Sequence, residues 1–144
     1  MKDFIPLKKQ LCFAIYGTSS EFTKLYGNVL SSFGLTYPQY LVLLALWEKD
    51  SITVKELGER LNLGTGTLTP MISRMQVSGW LRKERSTEDE RKVYIHLHKK
   101  AIEEKPRIIQ KVTEEILSCK IELEEYEQLL MRLKDLQHKL RHRN

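Results

Sequence analysis

Apolar side chains recur at Leu11, Ile15, Phe22, Leu25 and Val29, a 3.6-residue rhythm that predicts a long first helix over about residues 7–31, ended by Gly34. Thr36-Tyr37-Pro38-Gln39 then reads as a capping box. The Thr hydroxyl can accept from the backbone at Gln39, the Gln39 side chain can reach back, and Pro38 suits a first turn whose amides are unpaired anyway. The helix that follows, LVLLALWE, is apolar nearly all round and is expected to be the most buried element. Thr53-Val54-Lys55-Glu56 predicts a second capping box, opening a short helix, VKELGERL, with Val54, Leu57 and Leu61 inward. Asn62-Leu63-Gly64-Thr65-Gly66 is a tight turn, and a helix resumes from about Thr65 to Val77, stopping at Ser78-Gly79. Pro70 removes an amide inside that helix, so a local distortion is expected there.

The period then changes. Leu81, Lys83 and Arg85 alternate with Arg82 and Glu84; Val93, Ile95 and Leu97 alternate with Tyr94, His96 and His98. With Ser86 to Glu90 as a polar connector, this predicts a two-stranded hairpin. Residues 99–119 and 123–141 return to the helical period, the first interrupted near its start by Pro106. Ile109, Val112, Ile116 and Leu117 make one apolar stripe; Tyr126, Leu129, Leu130, Leu133, Leu136 and Leu140 make another. A short helix, a tight turn and a second helix leading into a basic hairpin form a winged helix-turn-helix. The expected fold class is mainly α with a small β-hairpin. Leu68, Met71, Ile72 and Met75 are read as core.

Composition narrows the function. The chain has 144 residues, 41% hydrophobic and 30% charged, an ordinary globular composition for one domain. No apolar run is long enough to cross a bilayer, and MKDFIPLKKQ lacks the apolar core of a signal peptide, so a cytoplasmic protein with no membrane partner is expected. The net charge is +5, and residues 1–100 hold all of it, with 15 basic against 10 acidic residues; residues 101–144 hold 9 of each. That points weakly to nucleic acid. Two cysteines, 107 positions apart, are not a secreted disulfide framework.

The segments QLCFAIY (10–16), LTYPQYLVLLALWE (35–48), TVKELGERLNLGTGTLTPMISRM (53–75) and RKERSTEDERKVYIHL (82–97) resemble the MarR family of bacterial transcription regulators over about residues 7–140. More narrowly, they resemble its organic-hydroperoxide repressors and the related staphylococcal thiol-based regulators. The segment Asp89-Glu90-Arg91 matches the family's wing. Two departures stand out: Leu97-His98-Lys99-Lys100-Ala101 replaces the family's usual Leu-Thr-x-x-Gly turn, and Cys119 adds a second thiol. The resemblance implies a single domain over 1–144, with a winged DNA-binding lobe at about 36–98 and dimerisation helices at about 4–32 and 99–141. It also implies a homodimer, a repressor and not an enzyme, bound to a palindromic double-stranded operator.

On a recognition helix at about 65–77, Thr65, Thr67, Thr69, Ser73 and Arg74 are the polar residues offered to phosphates or base edges. In the wing, Arg91 is the candidate for minor-groove insertion, oriented by Asp89, while Arg82, Lys83, Arg85 and Lys92 supply charge to the backbone. The bland alternative is a solvated charged hairpin. Two modules roughly 34–36 Å apart would read a palindrome with far more specificity than one.

Cys12 lies one residue off the Leu11–Ile15 line. An unperturbed thiol, of pKa about 8.5, is only a few per cent thiolate at neutral pH, so a sensor must stabilise the anion. By resemblance, Tyr26 and Tyr37 match the two tyrosines that hydrogen-bond the cysteine across the dimer, and Tyr16 is a plausible third member of the pocket. Inert packing is the alternative for Cys12. Cys119 is either incidental or the partner with which an oxidised Cys12 condenses across the dimer. The signal is then a peroxide or other oxidant.

Three rival functions remain at this level. One is a MarR-type repressor that answers a phenolic or aromatic ligand with passive cysteines. Another is a thiol peroxidase, for which the chain has no Cys-x-x-Cys and no recognisable acid–base pair. The third is a metal sensor using His96 and His98 or His138 and His142, pairs without an evident third ligand. No cofactor and no metal are expected.

Overall fold

The computed structural model describes residues 3–143. They divide into two compact units, one ending at Val112 and the other beginning at Thr113. The first unit opens with a 3-10 turn, Leu7–Lys9, followed by α1 (Leu11–Leu30) and a second 3-10 turn, Ser31–Phe33. Then come α2 (Tyr37–Glu48), β1 (Ile52–Thr53), α3 (Val54–Leu61), α4 (Thr65–Val77), β2 (Leu81–Arg85), β3 (Val93–Leu97), α5 (Lys99–Glu103) and the start of α6 (Lys105–Ser118). The expected class holds: mostly helical, with a small sheet inside a winged helix-turn-helix.

Several predicted devices are present. The Thr36 hydroxyl accepts from Gln39 N at 3.3 Å while Thr36 N donates to the Gln39 side chain at 3.1 Å, the full capping box of α2. Tyr40, Val42, Leu43, Ala45 and Leu46 of α2 are buried. They pack in a core with Leu30, Leu57, Leu68, Ile72, Met75, Trp80, Leu81, Ile95 and Ile108. The Trp47 indole donates to Ala101 O at 3.1 Å and ties α2 to α5. Leu68, Met71, Ile72 and Met75 are buried as expected; the distortion expected at Pro70 does not interrupt α4, which runs as one helix through it to Val77.

The helix-turn-helix corner rests on close approach. Asn62 takes a left-handed conformation (φ 56°), and Leu63 N donates to Gly58 O at 2.9 Å. A Cβ at Gly58 would lie 2.8 Å from the Leu63 carbonyl oxygen, so this helix position admits only glycine without a backbone shift.

Four expectations are corrected. The first helix does not run from residue 7: Gln10 is extended, its side chain donating to Ile5 O at 2.7 Å, and α1 begins only at Leu11. The second capping box is half-formed. Thr53 accepts from Glu56 N at 3.1 Å, but the Glu56 carboxylate turns to Lys49 Nζ at 3.2 Å. The helix expected over 99–119 is divided at Glu104, one residue before α6, whose second residue, Pro106, cannot donate back into α5. Finally, the hairpin is part of a three-stranded antiparallel sheet in the order β1-β3-β2, with Ile52 opposite Ile95 and Lys83 opposite Ile95 on the other side. Asp50 Oδ1 accepts from Leu97 N at 2.9 Å, and Ser51 Oγ lies 2.7 Å from His96 Nδ1, which pins β1 at the sheet edge.

The second unit holds the end of α6 and α7 (Leu123–Arg141), separated by a turn with Lys120 left-handed (φ 56°). No residue of α7 is buried, and Tyr126, Leu129, Leu130, Leu133 and Leu140 are exposed. No single helix is long and apolar enough to cross a membrane among the described residues.

Candidate nucleic-acid interface and thiol site

The N-cap of α4 is Gly64, which has no side chain to cap the helix; Thr67 N and Leu68 N turn back to Gly64 O at 3.1 and 3.0 Å, which leaves the amides of Thr65 and Gly66 ahead of them for an outside acceptor. Thr65, Thr67 and Thr69 are exposed over this first part of the helix, and Arg74 is exposed farther along. Ser73 is different: it is half-buried, and Lys83 Nζ of β2 donates to its hydroxyl at 2.9 Å. These two predicted contacts are therefore engaged with each other. The bond fastens the wing to α4.

The wing tip is closed on itself. Ser86 N donates to Lys92 O and Lys92 N to Asp89 O, each at 2.9 Å. The Ser86 hydroxyl accepts from Glu88 N and Asp89 N, both at 3.2 Å. Asp89 Oδ1 accepts from Arg91 N and from Arg91 Nε, both at 3.1 Å. This holds the Asp89 carboxyl below the usual carboxylate value, first through the Arg91 side chain and then through its backbone N–H. The Arg91 side chain itself is 91% exposed, so the carboxylate aims the guanidinium without covering it. Arg85 Nη1 donates to Glu90 O, Arg82 Nη1 pairs with Glu84 at 3.3 Å, and Lys92 is exposed. Ser86 is the residue that sequence reading missed. Its signal was its place: a hydroxyl at the start of a polar connector can cap the two amides that follow.

The thiol residues are spread out within one chain. Cys12 is exposed in the first turn of α1, and Tyr16, one turn later, is 76% exposed. Tyr26 lies at the other end of the same helix. Fourteen residues at about 1.5 Å each put it roughly 21 Å along the axis from Cys12. Tyr26 stacks on Tyr37 with ring centroids 4.6 Å apart and planes 7° apart, and on Tyr40 at 5.7 Å. Phe22 continues the stack at 6.1 Å from Tyr26. The structure thus brings Tyr26 and Tyr37 together and leaves Cys12 and Tyr16 apart from them. Cys119, in the second unit, is exposed, its sulfur 3.6 Å from Glu115 O.

Residues 24–108 match the family model described as transcriptional regulator SarA/Rot. The organic hydroperoxide resistance transcriptional regulator of Bacillus subtilis is 52% identical over 95 residues, covering 66% of this chain and 65% of that protein, a little under two thirds of its length. The regulator MgrA of Staphylococcus aureus is 39% identical over 109 residues, covering 75% of this chain and 74% of that protein. Among solved structures, reduced AbfR of Staphylococcus epidermidis bound to DNA superposes with a TM-score of 0.84 at 36% identity, covering 94% of this chain and 93% of that one.

Proposed function

Because the chain belongs to the SarA/Rot and MarR family of winged helix-turn-helix transcription regulators, we propose that it is a homodimeric repressor that binds a palindromic duplex and releases it when Cys12 is oxidised. The observation that carries the reading is the paired geometry of α4 and the wing: a helix with open N-terminal amides, clipped by Lys83 to a hairpin that presents an exposed, carboxylate-aimed Arg91. The threonines of α4 meet the major groove, and Arg91 reaches the minor groove beside it. Lys92 and Arg82 add phosphate contacts.

Dimerisation is supported by the apolar surface a single chain leaves bare. Only Leu30 of α1 is buried, while Leu11, Phe13, Ile15 and Phe22 are exposed, as is the stripe of α7. Such a surface is characteristic of a subunit interface. Two chains would also complete the thiol pocket. Cys12 and Tyr26, which carries Tyr37 of α2 stacked on it, stand toward opposite ends of α1, so a partner running the other way can set its tyrosines beside this chain's sulfur.

The chemistry balances simply. The Cys12 thiolate attacks the peroxide, the O–O bond breaks, the sulfur becomes sulfenic acid, and the alcohol or water leaves. Condensation with the thiol of Cys119 from the partner would form a disulfide and expel water. Bridging needs Cα atoms within about 7 Å, so it would shift the chains and respace the two α4 helices. Intact mass and non-reducing gels of wild type, Cys12→Ser and Cys119→Ser, before and after one equivalent of organic hydroperoxide, test this. A covalent dimer that needs both thiols supports the two-cysteine switch. Cross-linking that survives Cys119→Ser removes Cys119 from it.

A further inference from the structure

The end of α7 carries a feature that DNA binding and thiol chemistry leave unused. His138 and His142 stand one helical turn apart, with ring centroids 4.2 Å apart. The turn is closed by His142 N donating to His138 O at 3.1 Å. The same carbonyl lies 2.9 Å from His142 Nδ1. A carbonyl oxygen can only accept, so Nδ1 is the donor here, and in the neutral ring this leaves the lone pair on Nε2. Anchoring one ring nitrogen on a backbone carbonyl is how metal-ligating histidines are held in tautomer and orientation. The neighbouring ammonium of Lys139 is paired with Asp135 at 2.9 Å, which offsets its charge. The other two histidines offer no such pair, since His96 is occupied by Ser51 through Nδ1.

We infer that His138 and His142 form a two-imidazole chelate for a divalent late first-row transition metal, with zinc as the representative ion. Imidazole nitrogens one turn apart on a helix can both reach an ion at about 2.0–2.1 Å. Imidazole donors select zinc, copper and nickel over magnesium and calcium. Among the described residues no cluster of three or more potential ligands exists, so the chelate is bidentate and water completes the sphere. This inference rests on the α7 geometry alone and stands or falls apart from the regulator reading.

The test uses the full chain with Cys12→Ser and Cys119→Ser, which removes the thiols as competing ligands. Zinc is titrated against a chromophoric chelator, and the imidazole nitrogens are followed by long-range proton–nitrogen NMR. The expected result is one ion per chain, with the Nε2 resonance of His142 displaced and the ion released on acidification as the imidazoles protonate. His138→Gln and His142→Gln should each weaken binding by about tenfold or more, with helicity unchanged by circular dichroism, whereas Lys139→Ala should not weaken it. Binding equal to the parent in both glutamine variants, zinc shifts confined to His96 and His98, or no uptake by the parent would each overturn the assignment.

Discussion

Lys83 Nζ donates to Ser73 Oγ at 2.9 Å, joining the middle of β2 to the middle of α4. Both residues are half-buried, so the bond is partly shielded from water. It fixes the wing relative to α4, the proposed recognition helix. If this positioning matters more than either residue's own contact, Ser73→Ala and Lys83→Met should each weaken operator binding, and the double variant should lose no more than the worse single one. A double-mutant cycle read by fluorescence anisotropy should return a coupling of about 0.5–1.5 kcal/mol. Strictly additive losses would mean two independent contacts.

Arg91 should behave as a phosphate or groove contact and Asp89 as its guide. Arg91→Ala should lower the slope of log affinity against log salt by about one. Asp89→Asn should weaken binding less and leave that slope nearly unchanged. The Asp89 carboxyl is held low by Arg91, so the pair is intact above the ordinary carboxylate range and is lost as pH falls through the lowered value. Affinity between about pH 5 and 8 should therefore carry no titration from this pair. A step in that window that disappears in Asp89→Asn would contradict the assignment.

The exposed stripe of α7 should be the dimer's cement. Leu133 lies on it, 45% exposed in one chain. Leu133→Arg should give a monomer by sedimentation, still helical, with affinity for the palindrome down by about 100-fold or more. A dimer that survives this substitution would place the interface elsewhere.

Gly58 should be the least replaceable glycine. Its added Cβ would meet the Leu63 carbonyl at 2.8 Å, so Gly58→Ala should lower stability by about 1–3 kcal/mol in urea at fixed protein concentration. At Gly66 a Cβ would meet nothing within 4 Å, and Gly66→Ala should be neutral or stabilising by up to about 1 kcal/mol.

How much of this could be read from the chain depends on how local each feature is. The Thr36–Gln39 box and the bounds of α4 are set by residues three or four apart, and both were legible. The Thr53–Glu56 box failed on its second half because Lys49, seven residues back, competes for the carboxylate. A two-residue strand such as Ile52–Thr53 has no period to read, and its pairing with β3 depends on tertiary contact. Tyr26 and Tyr37 were both named from the sequence, but their parallel stack exists only because α1 and α2 meet. Ser73 and Lys83 were named as separate contacts, and their partnership across ten residues became visible only in three dimensions.

The most direct test is the anisotropy of a labelled palindromic operator bound by wild type and by Cys12→Ser, followed while one equivalent of organic hydroperoxide is added. Wild type should let go of the DNA and recover on reduction, while Cys12→Ser should bind throughout. Release of both proteins alike, or retention of both, would contradict this and leave Cys12 a packing residue.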